Sequence, residues 1–170
     1  AVDKIAQSLY HVDRQGKFSL LLHLLKDPAI RRMLVFARTK HGANKLAEHL
    51  NRNAVKADAI HGNKTQGARE RALENFKRGL CRVLVATDIA SRGIDVEEIT
   101  HVVNYDMPDV PENYVHRIGR TARAGAEGIA IAFCSPEERE YLLGVERFIR
   151  TRIPSRPLPA GILAAVAASQ

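Results

Sequence analysis

Two short runs, "RMLVFAR" (32–38) and "RVLVATD" (82–88), carry apolar residues back to back without polar alternation. A strand with one wet face alternates. An unbroken apolar run reads instead as a strand covered on both faces, as in a parallel sheet sandwiched between helices. Parallel neighbours need crossover connections, and the chain supplies them. "KIAQSLYHV" (4–12), "VKADAIH" (55–61), "THVVNYD" (100–106) and "GIAIAFC" (128–134) read as further strands, and "KFSLLLHLLKD" (17–27) as a helix ending before Pro28. Thr39 can cap a helix whose Ala43, Leu46, Ala47 and Leu50 recur at helical spacing. A second helix spans 65–79, with Thr65 as its cap and Gly79 just past its end. A short helix is predicted over 110–122, and Ser135, Pro136 and Glu138 open a last one to about Arg150. The expected fold is α/β, a three-layer arrangement with a mostly parallel sheet and helices on both faces. It occupies residues 1–153. From Pro154 the composition shifts to prolines and small apolar residues, read as a linker or flexible tail (154–170).

At 170 residues this is one domain's worth of chain, with an ordinary globular balance of 45% hydrophobic and 26% charged residues. No apolar run reaches the roughly 18 residues of a membrane span. The opening reads as mature or mid-protein sequence, and Cys81 and Cys134, both in or beside strand-like runs, read as buried reduced thiols; a cytoplasmic setting is expected. No cysteine pairing suggests zinc, and no metal site is expected.

The charge is uneven. Lys and Arg number 26 against 19 Asp and Glu, a net +7. Residues 61–82 hold Lys64, Arg69, Arg71, Lys77, Arg78 and Arg82 against Glu70 and Glu74, and "HRIGRTARAG" (116–125) holds His116, Arg117, Arg120 and Arg123 with no acid. Such clusters face water, pair internally, or await a polyanion. As a helix at about 100° per residue, 116–123 would place His116, Arg120 and Arg123 within roughly 60° of one another, two guanidinium forks and an imidazole suited to phosphate oxygens. Arg117 lies aside, and pairing of Arg117 or Arg120 with an internal acid is the competing reading.

In an open parallel sheet, ligands bind beyond the carboxyl ends of the strands. "FARTK", "HGNKTQ", "TDIASRGID" and "YDMPD" all follow strands there, forming one polar rim. Gly93 permits positive φ or close approach, Thr87, Ser91 and Arg92 can donate to phosphates, and Asp88 and Asp95 can accept from hydroxyls or an arginine. Gln66 and Arg69 stand on the first turn of a helix, whose free N–H groups favour an anion. The chain has no G-x-x-x-x-G-K-[ST] phosphate loop and no acidic pair placed for Mg²⁺. It carries anion-binding parts without those that hold a nucleoside triphosphate and its metal.

The ordered set "LVFARTK", "HGNKTQGARERAL", "VLVATDIASRGIDV", "VVNYDMP" and "YVHRIGRTARAG" resembles the C-terminal RecA-like domain of a DEAD-box RNA helicase, and "RTKHGANKLAEHL" with "IHGNKTQGAR" is similar to the bacterial RhlE-like branch. The resemblance covers about residues 1–153. It implies that Arg120 and Arg123 are arginine fingers toward the γ-phosphate of ATP held, with Mg²⁺, mainly by an N-terminal RecA-like domain. His116 and Arg117 match positions that link to that domain's acidic motif, so His116 joins the fingers as a catalytic candidate and Arg117 joins the nucleotide contacts. Gly93 and Asp95 match the approach to the ribose. Arg38, Thr39, Lys40, Gly62, Gln66, Arg69, Thr87 and Arg92 match positions on the RNA backbone, contacts that hold RNA without reading bases. Where the family usually has "GRTGR", this chain has "GRTAR", with Ala122 for glycine. The implied function is one half of an ATP-dependent RNA helicase, inactive as this chain alone, with ribosome assembly or RNA decay as settings. A stand-alone basic RNA- or protein-binding module without ATPase activity is the alternative, and a helicase half acting on DNA a third.

Overall fold

The computed structural model describes residues 4–94, 99–121 and 127–164. Strands β1 (Ile5–His11), β2 (Met33–Phe36), β3 (Ala57–Ile60), β4 (Val83–Ala86), β5 (His101–Asn104) and β6 (Gly128–Cys134) form one sheet in the order β1-β6-β5-β2-β4-β3. Every pairing is parallel. All carboxyl ends therefore lie on one edge, where the four polar loops meet. β2, β4 and β5 are buried at every residue, as their unbroken apolar runs require.

The side-chain alternation of the strands divides the core. Met33, Val35, Val83 and Val85 pack with α1 (Lys17–Leu24) and α2 (Lys40–Arg52). Leu34, Phe36, Leu84 and Ala86 pack with α3 (Gln66–Lys77), and Ala130, Ala132 and Cys134 with α4 (Pro111–Ile118) and α5 (Arg139–Ile149). Two helices on one face and three on the other make three layers. Thr39 accepts from the Gly42 N–H and Thr65 from the Ala68 N–H, the caps the sequence predicts. Both cysteines are free and buried, and burial pushes each thiol up to about 12. Among the described residues, no helix is long and apolar enough to cross a membrane.

Two expectations change. α4 stops at Ile118: the Gly119 N–H makes the last helical bond, to Val115 O, and the Arg120 and Thr121 N–H groups turn to Arg117 O and Ile118 O, three residues back. The single helical face for His116, Arg120 and Arg123 is thereby cut short. Residues 154–164, set apart as a linker or flexible end, lie against β1 in the structure. Leu9 donates to Pro154 O and accepts from the Arg156 N–H, each at 2.8 Å, and Asp13 donates to Leu163 O. Leu158 and Ile162 pack on the core, so the segment covers an otherwise bare edge strand.

α2 and α3 end in the same motif. After α2, Val55 N–H reaches Leu50 O and Ala54 N–H reaches Asn51 O. After α3, Leu80 N–H reaches Asn75 O and Gly79 N–H reaches Phe76 O. The motif needs a left-handed residue, met by Gly79 at φ 76° and by Ala54 at φ 64°. A Cβ strains that conformation, and Ala54 is exposed, so removing its methyl group loses no core contact. Ala54→Gly is expected to stabilise the fold by about 0.5–1 kcal/mol, read as a higher urea midpoint at unchanged m.

Candidate functional site

The carboxyl edge is organised by a buried arginine. Arg117, on α4, is 2% exposed. Its Nε and Nη2 donate to the two carboxylate oxygens of Asp88 at 2.5 and 2.8 Å, and Nη1 donates to Asn104 Oδ1 at 3.0 Å and Asp106 O at 2.7 Å. The guanidinium also lies over the Phe36 ring, 5.1 Å from its centroid. Four hydrogen bonds and a bidentate carboxylate offset the desolvation of this charge. They also join the ends of β2, β4 and β5 to α4. The internal-pairing reading holds for Arg117. All four of its hydrogen bonds go to groups of its own chain.

Arg120, three residues on, differs. Its Nη1 donates to Ile94 O at 3.1 Å and its Nε reaches His116 O at 3.4 Å, and the side chain is half-buried. Among the described residues it pairs with no carboxylate. His116 is exposed beside it. Together with Asp88, Arg92, Gly93 and Asn113 they line an open cleft of about 380 Å³. Gly93 stands at φ 77° with no heavy atom near its missing Cβ, so backbone geometry rather than space demands glycine. Asp95, Ala122 and Arg123 lie outside the described residues.

The remaining positions divide between exposed groups and groups that hold loops. Thr87 is buried, and its carbonyl accepts the Ser91 N–H to close the 87–94 turn. Arg69 reaches from α3 to donate to Ala90 O and, at 3.1 Å, to Arg92 O. It clamps that turn and leaves Arg92 exposed. Lys40 donates to Asn63 Oδ1 at 3.2 Å, drawing the loops after β2 and β3 together near exposed Gly62. Thr39 and Gln66 are also exposed, Gln66 donating to Glu70. His61 is buried beneath them, accepting from the Asn63 N–H and facing Asn44 Oδ1 at 2.9 Å, an arrangement that needs the neutral ring. Desolvation first, then Lys64 and Lys40, holds its pKa below the ordinary value.

Arg38 is anchored by a centre the sequence pattern does not reveal. Glu138 accepts from Lys17 Nζ at 2.7 Å, the Met107 N–H at 2.8 Å, Arg38 Nη2 at 3.3 Å, and the N–H and hydroxyl of Ser135, both at 3.1 Å. Arg38 donates further to Met107 O and lies over the Tyr141 ring. Lys17, 3% exposed, also reaches Asp106 Oδ1, whose other oxygen takes the Arg38 N–H. In sequence Glu138 shows only as a capping acid, and Lys17 only as the start of a helix. Asn104, fully buried, likewise carries no signal beyond ending a strand. Among the described residues no three His, Cys, Asp or Glu side chains converge as a metal site.

The model of the helicase conserved C-terminal domain matches residues 16–125. The ATP-dependent RNA helicase RhlB of Pseudomonas syringae pv. tomato is 40% identical over 98% of this chain, which spans 42% of that protein. The DEAD-box ATP-dependent RNA helicase CshA of Bacillus subtilis is 44% identical over 89% of this chain, which spans 31% of it. The chain thus spans less than half the length of either helicase. The E. coli DEAD-box protein SrmB, in a crystal structure with regulator of ribonuclease activity A, superposes at a TM-score of 0.91, with 38% identity over 98% of both chains.

Two measurements check the electrostatics of this edge. Arg117→Met leaves Asp88, about a third exposed, and two buried acceptors without their donor; a loss of about 3 kcal/mol is expected in urea unfolding. For His61, the folded pKa lies below the unfolded one. Its contribution to stability is complete above an unfolded value near 6.5 and is lost as the pH falls from there through the lower folded value. Between about pH 7.5 and 5.5 the urea midpoint is expected to fall, and less so in His61→Gln, which has no ring to charge.

Proposed function

The chain belongs to the helicase conserved C-terminal domain family of the DEAD-box RNA helicases, and from that premise we propose that it is the half that completes an ATPase site and part of an RNA track when an N-terminal RecA-like half closes onto it. The carrying observation is the cleft where His116 and Arg120 keep donors facing outward while neighbouring Arg117 is consumed inside. ATP, held mainly by the N-terminal half together with Mg²⁺, supplies the phosphoanhydride whose hydrolysis drives the cycle. The cleft fits such a ligand in kind, since its donors are cationic or amide and its floor holds a glycine at positive φ.

In this reading Arg120 presents its remaining N–H groups to the γ-phosphate oxygens, and Arg123 acts as the second finger. His116 meets the acidic motif of the other half, with Arg117 behind it as the positioning residue. Gly93 and Asp95 approach the ribose. Thr39, Lys40, Gly62, Gln66 and Arg92 face the RNA backbone, while Arg38, Arg69 and buried Thr87 hold the loops that do so. Recognition through phosphates and 2′-hydroxyls would make the RNA contacts independent of sequence. The setting is cytoplasmic, and the partners are RNA, the N-terminal half and the machinery of ribosome assembly or RNA decay.

In the full-length protein, Arg120→Ala is expected to lower kcat of RNA-stimulated ATP hydrolysis by roughly 10³-fold, with ATP affinity changed only a few-fold, as for fingers that act on the transition state. An unchanged kcat sinks the assignment. The 170-residue chain alone is expected to hydrolyse no ATP above background. Turnover abolished by Arg120→Ala in that chain would point to a complete site within it.

A further inference from the structure

The amino edge of the sheet, opposite the loops above, holds a second cationic site. Arg32 and Arg82 each stand one residue before a strand, and β2 and β4 pair with Met33 against Val83. Register therefore makes the two arginines neighbours. Arg82 donates through Nε to Ile30 O and through Nη2 to Asp27 O, both at 2.9 Å. Arg32 donates through Nε to Phe76 O at 3.0 Å and through Nη2 to Lys77 O at 2.9 Å. Both guanidiniums are fixed along one side, and among the described residues neither Nη1 has a protein acceptor. Exposed Lys26 and Arg31 complete the walls of a cavity of about 550 Å³ with Leu25, Pro28, Ile30 and Gly79.

Among the described residues no acid lines this cavity. Asp27, the nearest in sequence, has its carboxylate engaged by the Ala29 N–H at 2.9 Å. Gly79 leaves the wall beside Arg32 bare, and exposed Lys77 and Arg78 precede it in the chain. Capping of helix ends accounts for Nε and Nη2 of each arginine. It does not account for four cations around one cavity that, among the described residues, form no salt bridge with a carboxylate, two of them pre-oriented by carbonyls. Phosphate oxygens of an anion in the cavity would give each Nη1 group an acceptor.

We propose that this amino-edge cavity is a phosphate-binding site for the backbone of an RNA strand, separate from the carboxyl-edge cleft. The ligand class rests on the RNA-handling reading above. The shape and charge of the cavity do not. RNA is favoured because open space and fixed forks suit a chain of repeating phosphates, and because α3 runs from this edge to its other end, which carries Gln66 and Arg69. A 12-residue helix spans about 18 Å, a few nucleotides of extended strand.

The test uses the 170-residue chain, a uridine decamer and fluorescence anisotropy at several salt concentrations. The rim pair Lys26→Glu/Arg31→Glu leaves both anchored arginines in place. The control Arg139→Glu/Arg147→Glu, exposed on α5, makes the same change in net charge. The rim variant is expected to bind about tenfold more weakly than the control, with the slope of log K against log salt smaller by about 1. In the parent chain, the Arg32 and Gly79 amide resonances are expected to shift on adding the decamer. Equal losses in rim and control variants, or unshifted resonances at saturation, overturn the site. A response of those amides to polyglutamate but not to RNA also overturns it, in favour of an acidic protein partner. If Arg92→Glu weakens RNA binding while the rim pair does not, this site falls and the carboxyl-edge reading stands.

Discussion

The bidentate pair between Arg117 and Asp88 is the interaction on which the functional edge depends. A parallel sheet brings strand ends together but leaves the loops beyond them free to diverge. Arg117 removes that freedom, taking Asp88 after β4, Asn104 at the end of β5 and Asp106 O beyond it, with its cation over Phe36 of β2. A guanidinium is the side chain for this task because its planar fork meets a carboxylate and two further acceptors at once. A lysine could satisfy the charge but not the geometry. His116 and Arg120 flank Arg117 on the same turn, so their outward placement depends on its inward one.

A second ionic centre performs the same task on the neighbouring loops. Glu138 and Lys17 are both nearly buried, a placement that is destabilising unless the charges are mutually paired and hydrogen-bonded. Five donors converge on Glu138, and Lys17 divides its bonds between Glu138 and Asp106. Replacing either centre with apolar side chains could fill the same volume. It would not fix the loop after β2 relative to the loop after β5, because apolar contacts are not directional. The buried charges thus specify loop position, while the apolar layers above and below the sheet supply the stability.

This division sets how far the sequence can be read. Periodicity reports burial, so the six strands, the helices and the caps at Thr39 and Thr65 were all legible, along with the edge at which polar loops would gather. Ionic partnership is not periodic. Arg117 and Arg120 are both arginines after a strand-rich stretch, and nothing local distinguishes the one that meets Asp88 across the sheet from the one left facing out. The extent of α4 misled for a related reason, since residues 116–123 keep a helical charge pattern past the point where Arg120 and Thr121 turn back. Residues 154–164 were illegible because their attachment runs largely through backbone atoms of Leu9 and Asp13, which no side-chain pattern records. Ala54 hid a helix terminus in the same way, adopting a conformation that a glycine would have announced.

The contrast between Arg117 and Arg120 also bears on what a half-site is. Each carries the same charge, and the fold could have met both in the same way. It places a carboxylate against one and, among the described residues, only backbone carbonyls against the other, which leaves the second guanidinium with several donors at the mouth of an open cleft. Backbone carbonyls orient a cation without neutralising it, and the cation remains available to an anion that arrives from outside. The same chemistry recurs at Arg32 and Arg82, anchored by carbonyls and, among the described residues, salt-bridged to no carboxylate. Where this fold pairs an arginine with a carboxylate it builds structure. Where Arg120, Arg32 and Arg82 rest on carbonyls, their charge is oriented but, among the described residues, not paired with a carboxylate.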